Sequence, residues 1–330
     1  MRQGMLLSQI RLGDGIGVVA REGSEAALVK GASSTYDLAL EAANSGRSIA
    51  QVIAGYGLGE AVDLVRLAEE GRLLAPIHHP DPAHLHLTGT GLTHLGSAAT
   101  RDAMHTKANA DDASDSLKMF RMGLESGKPA TGAGVQPEWF YKGNGHHLVA
   151  PNAPLVSPAF ALDGGEEPEI AGIYVVADDG RVARLGWALA NEFSDHVTER
   201  INYLYLAHSK LRPASIGPEI LIGPPPQDVR GQSRILRDGV VIWEKPFLSG
   251  EVNMSHSFAN LEHHHFKYDL FRQPGDLHVH MFGTATLSFA DAVQAQAGDI
   301  FEISADGFGL PLRNALAHAP DHGLQGVITL

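Results

Sequence analysis

The sequence predicts an α+β fold in which a small N-terminal α/β domain, residues 1–83, precedes a larger mixed-β domain, residues 84–330. Three observations carry that reading. From about His84 onward the chain is rich in glycine and β-branched residues, with strand candidates at residues 169–177, 182–192, 220–222, 239–245, 277–282 and 300–304 and no regular βαβ alternation. Before it, strand-like pieces at 15–21 and 26–30 lead into helical patterns over 35–46 and 59–70. Between the two, residues 74–82 carry three prolines and two histidines, which break any regular element and make a linker.

Composition narrows the function. At 330 residues and 44% hydrophobic the chain can bury a large core without staples. A formal charge of −13 with no basic cluster argues against a nucleic-acid partner and leaves a small molecule as the expected ligand. There is no cysteine, which excludes disulfides, thiolate metal sites and a thiol nucleophile, and suits a reducing cytoplasm, the expected location. Any metal must therefore bind through oxygen or imidazole. The N-terminal MRQGMLLSQIRLGDG lacks a signal-peptide core and no apolar run reaches the length of a membrane span, so a soluble protein without a membrane partner is expected.

Along the larger domain, Gly89-Thr90-Gly91-Leu92-Thr93-His94-Leu95-Gly96-Ser97 leaves a predicted strand as a glycine-rich segment. It has neither the Walker spacing nor a following Lys-Ser/Thr, so it is not a phosphate loop, and it is expected to form one wall of a pocket. Arg101, Asp102 and His105 recur after it at helical spacing, as on a polar helix face.

The most informative elements come next. Two apolar runs, 169–177 and 182–192, flank Asp178-Asp179-Gly180, and an Asp-Gly pair between strand formers signals a hairpin. With Asp179 and Gly180 as the central turn residues, Asp178 faces Arg181, Glu167 faces Glu192 and Glu169 faces Ala190. Side chains alternate across a strand, so Glu167, Glu169 and Glu192 share one face. Opposed like charges are destabilising unless compensated, and carboxylates against an apolar core must be paired or bind a metal. All-oxygen ligands favour Mg²⁺, with Mn²⁺ or Ca²⁺ as substitutes.

A helix over 193–206, opening with a Ser194-Asp195 cap, leads to Lys210 and returns it toward the carboxylates. Lysines at helix ends are commonly surface cations, but one beside a dication and a glutamate can transfer protons, and spacing leaves both readings open. A further helix is expected around 255–271. His278 and His280 share a strand face but lack the element order of a cupin metal motif, so these histidines, with His263-His264-His265, are read as packed or hydrogen-bonded. Gly283-Thr284 follows a strand introduced by Pro274-Gly275-Asp276, and can be an ordinary turn or a donor of backbone N–H groups and a hydroxyl to a small carboxylate.

Together these elements resemble the fumarylacetoacetate hydrolase superfamily, over most of the chain from about Gly89 to Arg313. The family's Glu-x-Glu strand looks like Glu167-Pro168-Glu169, and its Gly-aromatic-x-x-Ala-Asn-Asp segment like Gly186-Trp187-Ala188-Leu189-Ala190-Asn191-Glu192. Its active-site lysine looks like Lys210, and its closing turn like Pro274-Gly275-Asp276 with Gly283-Thr284. The resemblance implies a metal-dependent catalytic β-roll, Mg²⁺ on Glu167, Glu169 and Glu192, a chelated 2-keto acid substrate and a homodimer or higher homo-oligomer. It implies Lys210 and Ser97 as catalytic residues, with Gly283, Thr284, Lys142 and Ser215 binding substrate. Two departures stand out: Glu192 replaces the usual Asp, and Ser97 stands where hydrolytic members carry a histidine.

Serine without a partner is a poor base for activating water, which weakens a hydrolase reading. The branch most resembled acts on 2-keto-3-deoxy sugar acids as a dehydratase. Lys210 would remove the C3 proton of a 2-keto-3-deoxypentonate, the C4 hydroxyl would leave with help from an acid the sequence does not identify, and 2,5-dioxopentanoate would result. The alternatives are a C–C hydrolase or decarboxylase of diketo acids on the same site, and a non-catalytic sugar-acid-binding or metal-binding protein.

Overall fold

The computed structural model describes residues 4–95 and 115–330. Strands β1 (Leu6–Leu12), β2 (Gly15–Glu22) and β3 (Glu25–Val29) form a meander whose turns hold Gly13 and Gly23 at positive φ. Helix α1 (Thr35–Ser45) starts where Ser34 Oγ accepts from the Asp37 amide and stops at Gly46, whose left-handed φ of 68° disfavours a side chain. Helix α2 (Ile49–Tyr56) carries a Ser48/Gln51 capping box that the sequence reading passed over. The helix expected over 59–70 starts later. Strand β4 (Leu58–Ala61) pairs with β3 instead, and Asp63 caps helix α3 (Leu64–Glu69) by accepting from the Arg66 amide.

The rest of the chain comprises β5 (Leu85–Gly89), α4 (Asp115–Ser126), β6 (Phe140–Asn144), β7 (Leu148–Val149), β8 (Leu155–Ser157), β9 (Pro168–Val176), β10 (Val182–Asn191), α5 (His196–Ile201) and α6 (Leu206–Lys210). After these run β11 (Ala214–Ile216), β12 (Ile220–Leu221), β13 (Val229–Arg237), β14 (Val240–Ser249), α7 (Phe258–Phe266), β15 (Leu277–Met281), β16 (Ile300–Ala305) and β17 (Leu312–His318). The expected 193–206 helix is broken in two. Asp195 caps α5, then the Asn202 side chain accepts from the Leu204 amide and starts a 3₁₀ turn before α6 resumes and ends on Lys210.

Among the described residues the strands make two mixed sheets. The larger runs β4-β3-β2-β1-β12-β10-β9-β15-β5-β6, with β11 beside β10 and β7 beside β11. The smaller runs β14-β13-β16-β17-β8. Parallel pairs, β5 with β15 and β8 with β17, stand among antiparallel ones, and β1 continues the larger sheet through β12. One core lies between this sheet and helices α1 and α2, with Leu38, Val52, Ile173, Val175 and Val279 fully buried. A second, around Trp187, Phe247, Phe258 and Phe282, covers the opposite face. Strands β9 and β10 are thus apolar on both faces, which explains their nearly continuous hydrophobic runs.

The β9–β10 hairpin corrects its expected turn. Ala177 N donates to Arg181 O and Gly180 N to Ala177 O, so residues 178–180 form a three-residue loop with Gly180 at φ 81°, and Val182 faces Val176. A bulge at Leu185 takes up the extra residue, because from Gly186 onward the register advances by one. Two one-residue departures cancel. Ala190 faces Glu169, and the Glu192 amide donates to Glu167 O at 3.0 Å, as the sequence predicts.

Candidate active site

The cancelled shifts gather the carboxylates: Glu167, Glu169 and Glu192 are buried, and each offers an oxygen within 4.8 Å of the others. Glu166, one residue away, points to the other side and accepts from the Ser288 amide and hydroxyl at 2.8 and 2.7 Å. Lys210 is buried too. Its ammonium donates to Glu167 Oε1 at 2.5 Å and Glu192 Oε2 at 2.7 Å, and lies over the Phe140 ring at 5.0 Å.

Lys142 is fully buried, donating to the Phe193 and Lys210 carbonyls at 2.8 and 2.9 Å and pairing with Glu192. It therefore holds both the end of α6 and a member of the trio. His196, just inside α5, was not singled out by the sequence. Its Nε2 is 2.9 Å from Glu167 and its Nδ1 3.4 Å from Asp163, and its ring stacks on Phe289.

These neighbours divide the trio electrostatically. Burial raises Glu167, but Lys210 and His196 outweigh it and hold that carboxyl below its ordinary range. Glu192 is raised by burial and by Glu167, against the opposing pull of Lys142 and Lys210. Burial and the charges of Glu192 and Glu167 push Glu169 well above the carboxylate range, relieved chiefly by the Gly283 amide at 2.7 Å. Lys210 goes the other way: burial lowers it, yet Glu167, Glu192 and Glu199 drive it well above an ordinary lysine.

Burial lowers His196, but Asp163 and Glu167 raise it from 6.5 to about 9. A folded pKa above the unfolded one contributes stability that is complete below about pH 6.5 and lost as pH rises through about 9. In EDTA that contribution is about 3 kcal/mol. Urea unfolding of wild type and His196→Gln between about pH 6 and 10 is expected to converge at the alkaline end; a gap independent of pH would refute the assignment.

Glu167 and Glu169 open into a cavity of about 450 Å³ lined also by Thr90, Gly91, Phe140, Tyr203, Gly283 and Thr284. Gly283 has φ 89°, and a Cβ there would press on Thr93 Oγ1 and Thr90 O, so the turn requires glycine. Thr284 Oγ1 accepts from the Thr286 amide at 3.2 Å. Ser215 sits behind the site on β11, opposite Asn191, with Oγ donating to Val149 O at 2.8 Å. The glycine-rich segment supplies a pocket wall through Thr90, Gly91 and Leu92. Ser97, with Arg101, Asp102 and His105, lies outside the described residues.

Glu138 is the other residue that sequence reasoning missed. It lines the same cavity, is buried, accepts from the Tyr203 hydroxyl, and has its carboxyl raised by burial against the opposing pull of Tyr203 and Lys210. Its only sequence signal is a lone acid beside Trp139-Phe140.

The donor set fits a hard dication. Glu167 and Glu192 have cationic partners, but Glu169 Oε1 is buried with no hydrogen-bond partner, an orphan that an ion between the three oxygens would satisfy. Glu192, longer than the Asp of the resembled pattern, still reaches the cluster.

No family model and no curated protein matches the sequence. Solved structures do match, and they show a fold that this chain shares along nearly its whole length, the one expected from the resemblance of the sequence motifs. One similar structure is a 2-keto-3-deoxy-D-arabinonate dehydratase complexed with magnesium and 2,5-dioxopentanoate, at 17% identity and a TM-score of 0.69 over 96% of this chain and 100% of that one. Its apo form has the same values. A 5-carboxymethyl-2-hydroxymuconate delta-isomerase from Mycobacterium smegmatis is similar at 18% identity and a TM-score of 0.57, over 97% and 100%. Among the described residues no helix is long and apolar enough to cross a membrane.

Proposed function

We propose that the protein is a Mg²⁺-dependent hydro-lyase that converts a 2-keto-3-deoxypentonate to 2,5-dioxopentanoate in non-phosphorylative pentose catabolism. The observation that carries this reading is one pocket lined by Glu167 and Glu169 of the three-carboxylate cluster, by Lys210 and by Glu138, whose carboxyl pKa is raised by burial. Likeness to a dehydratase structure containing magnesium and 2,5-dioxopentanoate supports the same substrate class. Glu167, Glu169 and Glu192 would hold the dication, which would supply Lewis-acid polarisation of a 2-keto carbonyl and, by neutralising those carboxylates, would let Lys210 give up its proton. Lys210, as the free amine, takes the C3 proton. Glu138, its carboxyl pKa raised by burial, donates a proton to the departing C4 hydroxyl from its protonated form, so water leaves and a C3=C4 enone with a C5 alcohol forms. A proton shift from C5 to C3 then gives the C4=C5 enol, which tautomerises to the dioxo acid. Gly283 and Thr284 orient the substrate carboxylate. Lys142 and Ser215 serve the substrate site from behind, the first by holding Glu192 and the second by anchoring the end of β10, and Ser97 remains a proposed catalytic residue.

This reading includes a small N-terminal domain, residues 1–83, ahead of a catalytic β-roll, residues 84–330, and a cytoplasmic homodimer or higher homo-oligomer. The deciding assay presents the purified protein and Mg²⁺ with a 2-keto-3-deoxypentonate and, separately, with an acylpyruvate. Formation of 2,5-dioxopentanoate, abolished by EDTA and restored by Mg²⁺ or Mn²⁺, is expected. Pyruvate release from the acylpyruvate alone would overturn the proposal in favour of C–C hydrolysis. Because the acid must be protonated, turnover is expected to fall as pH rises through the raised Glu138 pKa. Glu138→Gln should lose roughly 10²–10⁴ in kcat together with that alkaline limb.

A further inference from the structure

Away from the carboxylate trio, β5 and β15 run parallel with His86 opposite His278, and Asp276 lies on the same face two residues before His278. Asp276 is buried and takes hydrogen bonds from His84 Nδ1 at 2.8 Å and His86 Nε2 at 3.2 Å. A buried ring nitrogen of the group, His278 Nε2, has no partner, whereas the unpartnered His86 Nδ1 lies on the far edge of a ring whose Nε2 already meets Asp276. Each of His86, Asp276 and His278 offers a ligating atom within 4.8 Å of the other two.

We propose that His86, Asp276 and His278 form a second metal site, which takes a borderline divalent ion such as Zn²⁺ and ties β5 to β15. Two imidazoles and one carboxylate are a zinc donor set, whereas the all-oxygen trio suits a harder ion. Bonds of zinc length place tetrahedral ligands roughly 3.3–3.5 Å apart, so side chains already in one layer need only draw together. The His84 side chain is 56% exposed, which leaves Asp276 a route to solvent. A simple ion pair of Asp276 with His84 would leave the orphan His278 Nε2 unexplained.

The surrounding proton order provides an internal reporter. Trp139 Nε1–H donates to His265 Nδ1 at 3.2 Å, so His265 donates through Nε2 to His278 Nδ1 at 3.0 Å, and His278 carries its proton on the orphan Nε2. A metal on that nitrogen displaces the proton and reverses the relay, and Trp139 loses its acceptor. That exchange loses the Trp139–His265 hydrogen bond and sets two N–H donors against each other, a cost that the metal–imidazole bond has to exceed. The same two strands run on to Thr90 and Gly283, so an ion here braces the elements that deliver the pocket.

The test titrates Co²⁺ into the full-length protein saturated with Mg²⁺. A single tight equivalent with a visible band of low-symmetry cobalt is expected, displaced by Zn²⁺ and accompanied by a change in tryptophan emission that Trp139→Phe removes. His86→Gln and Asp276→Asn should each weaken binding by at least about 10–100-fold. His86 is the partly exposed member, chosen so that one variant keeps its fold by circular dichroism. Glu169→Gln should leave the cobalt equivalent intact, which separates this site from the trio. Absence of the band, or a band that survives both His86→Gln and Asp276→Asn, would overturn the proposal and assign any bound ion to surface histidines such as His263.

Discussion

Glu169→Gln is expected to abolish Mg²⁺-dependent turnover while making the ion-free protein more stable. The two effects have one cause. Glu169 is the least compensated member of the trio, with a single amide donor on one oxygen and none on the other. Burial and the Glu192 and Glu167 charges raise its pKa, so in EDTA its ionisation opposes folding increasingly as pH rises above the ordinary carboxylate range. Glutamine keeps the oxygen that accepts from Gly283 and removes the charge, a change worth about 1–3 kcal/mol by the cost of an unsatisfied buried polar group. Outer-shell partners of metal ligands typically contribute 10–100-fold, so loss of a ligand should cost more than about 100-fold in kcat/KM. Urea unfolding with and without Mg²⁺ is the decisive readout. A variant that Mg²⁺ still stabilises as much as it does wild type would show that the ion binds elsewhere.

Lys210→Met should be damaging in a different way. Its ammonium stands between Glu167 and Glu192, and removing one partner of a buried ion pair typically costs about 3–5 kcal/mol because the remaining charges stay buried. In EDTA the variant should unfold at correspondingly lower urea. Mg²⁺ supplies replacement charge, so stability should recover on adding it, whereas turnover should stay down by roughly 10²–10⁴, the worth of a positioned proton-transfer group. Lys210→Arg separates charge from chemistry, since arginine restores the cation but stays protonated. Near-normal turnover by Lys210→Met with Mg²⁺ present would remove this lysine from the reaction.

How much of this was legible beforehand varies with the distance along the chain over which the deciding contacts act. The trio was readable because Glu167, Glu169 and Glu192 sit on two consecutive strands whose alternation is a local property. Even there the turn was misread by one residue. The outcome survived because the bulge at Leu185 offset the longer loop, and a bulge among Arg184-Leu185-Gly186 leaves little trace in a pattern buried on both faces. The helix cap at Asp195 was similarly local, whereas the break at Asn202 depended on one side chain reaching the Leu204 amide.

By itself the sequence determined the chemistry available: oxygen and imidazole ligands with no thiolate, paired strands bearing three glutamates on one face, and a lysine returned by a short helical segment. Only the tertiary structure decided which charges those groups feel. Lys142 behind Glu192, His196 beside Glu167, the Gly283 amide on Glu169, Glu138 with its raised carboxyl pKa in the same cavity and the histidines around Asp276 come from separate segments. Their effects arise from burial and from distances of a few ångströms, and neither is set until strands remote in the chain lie side by side.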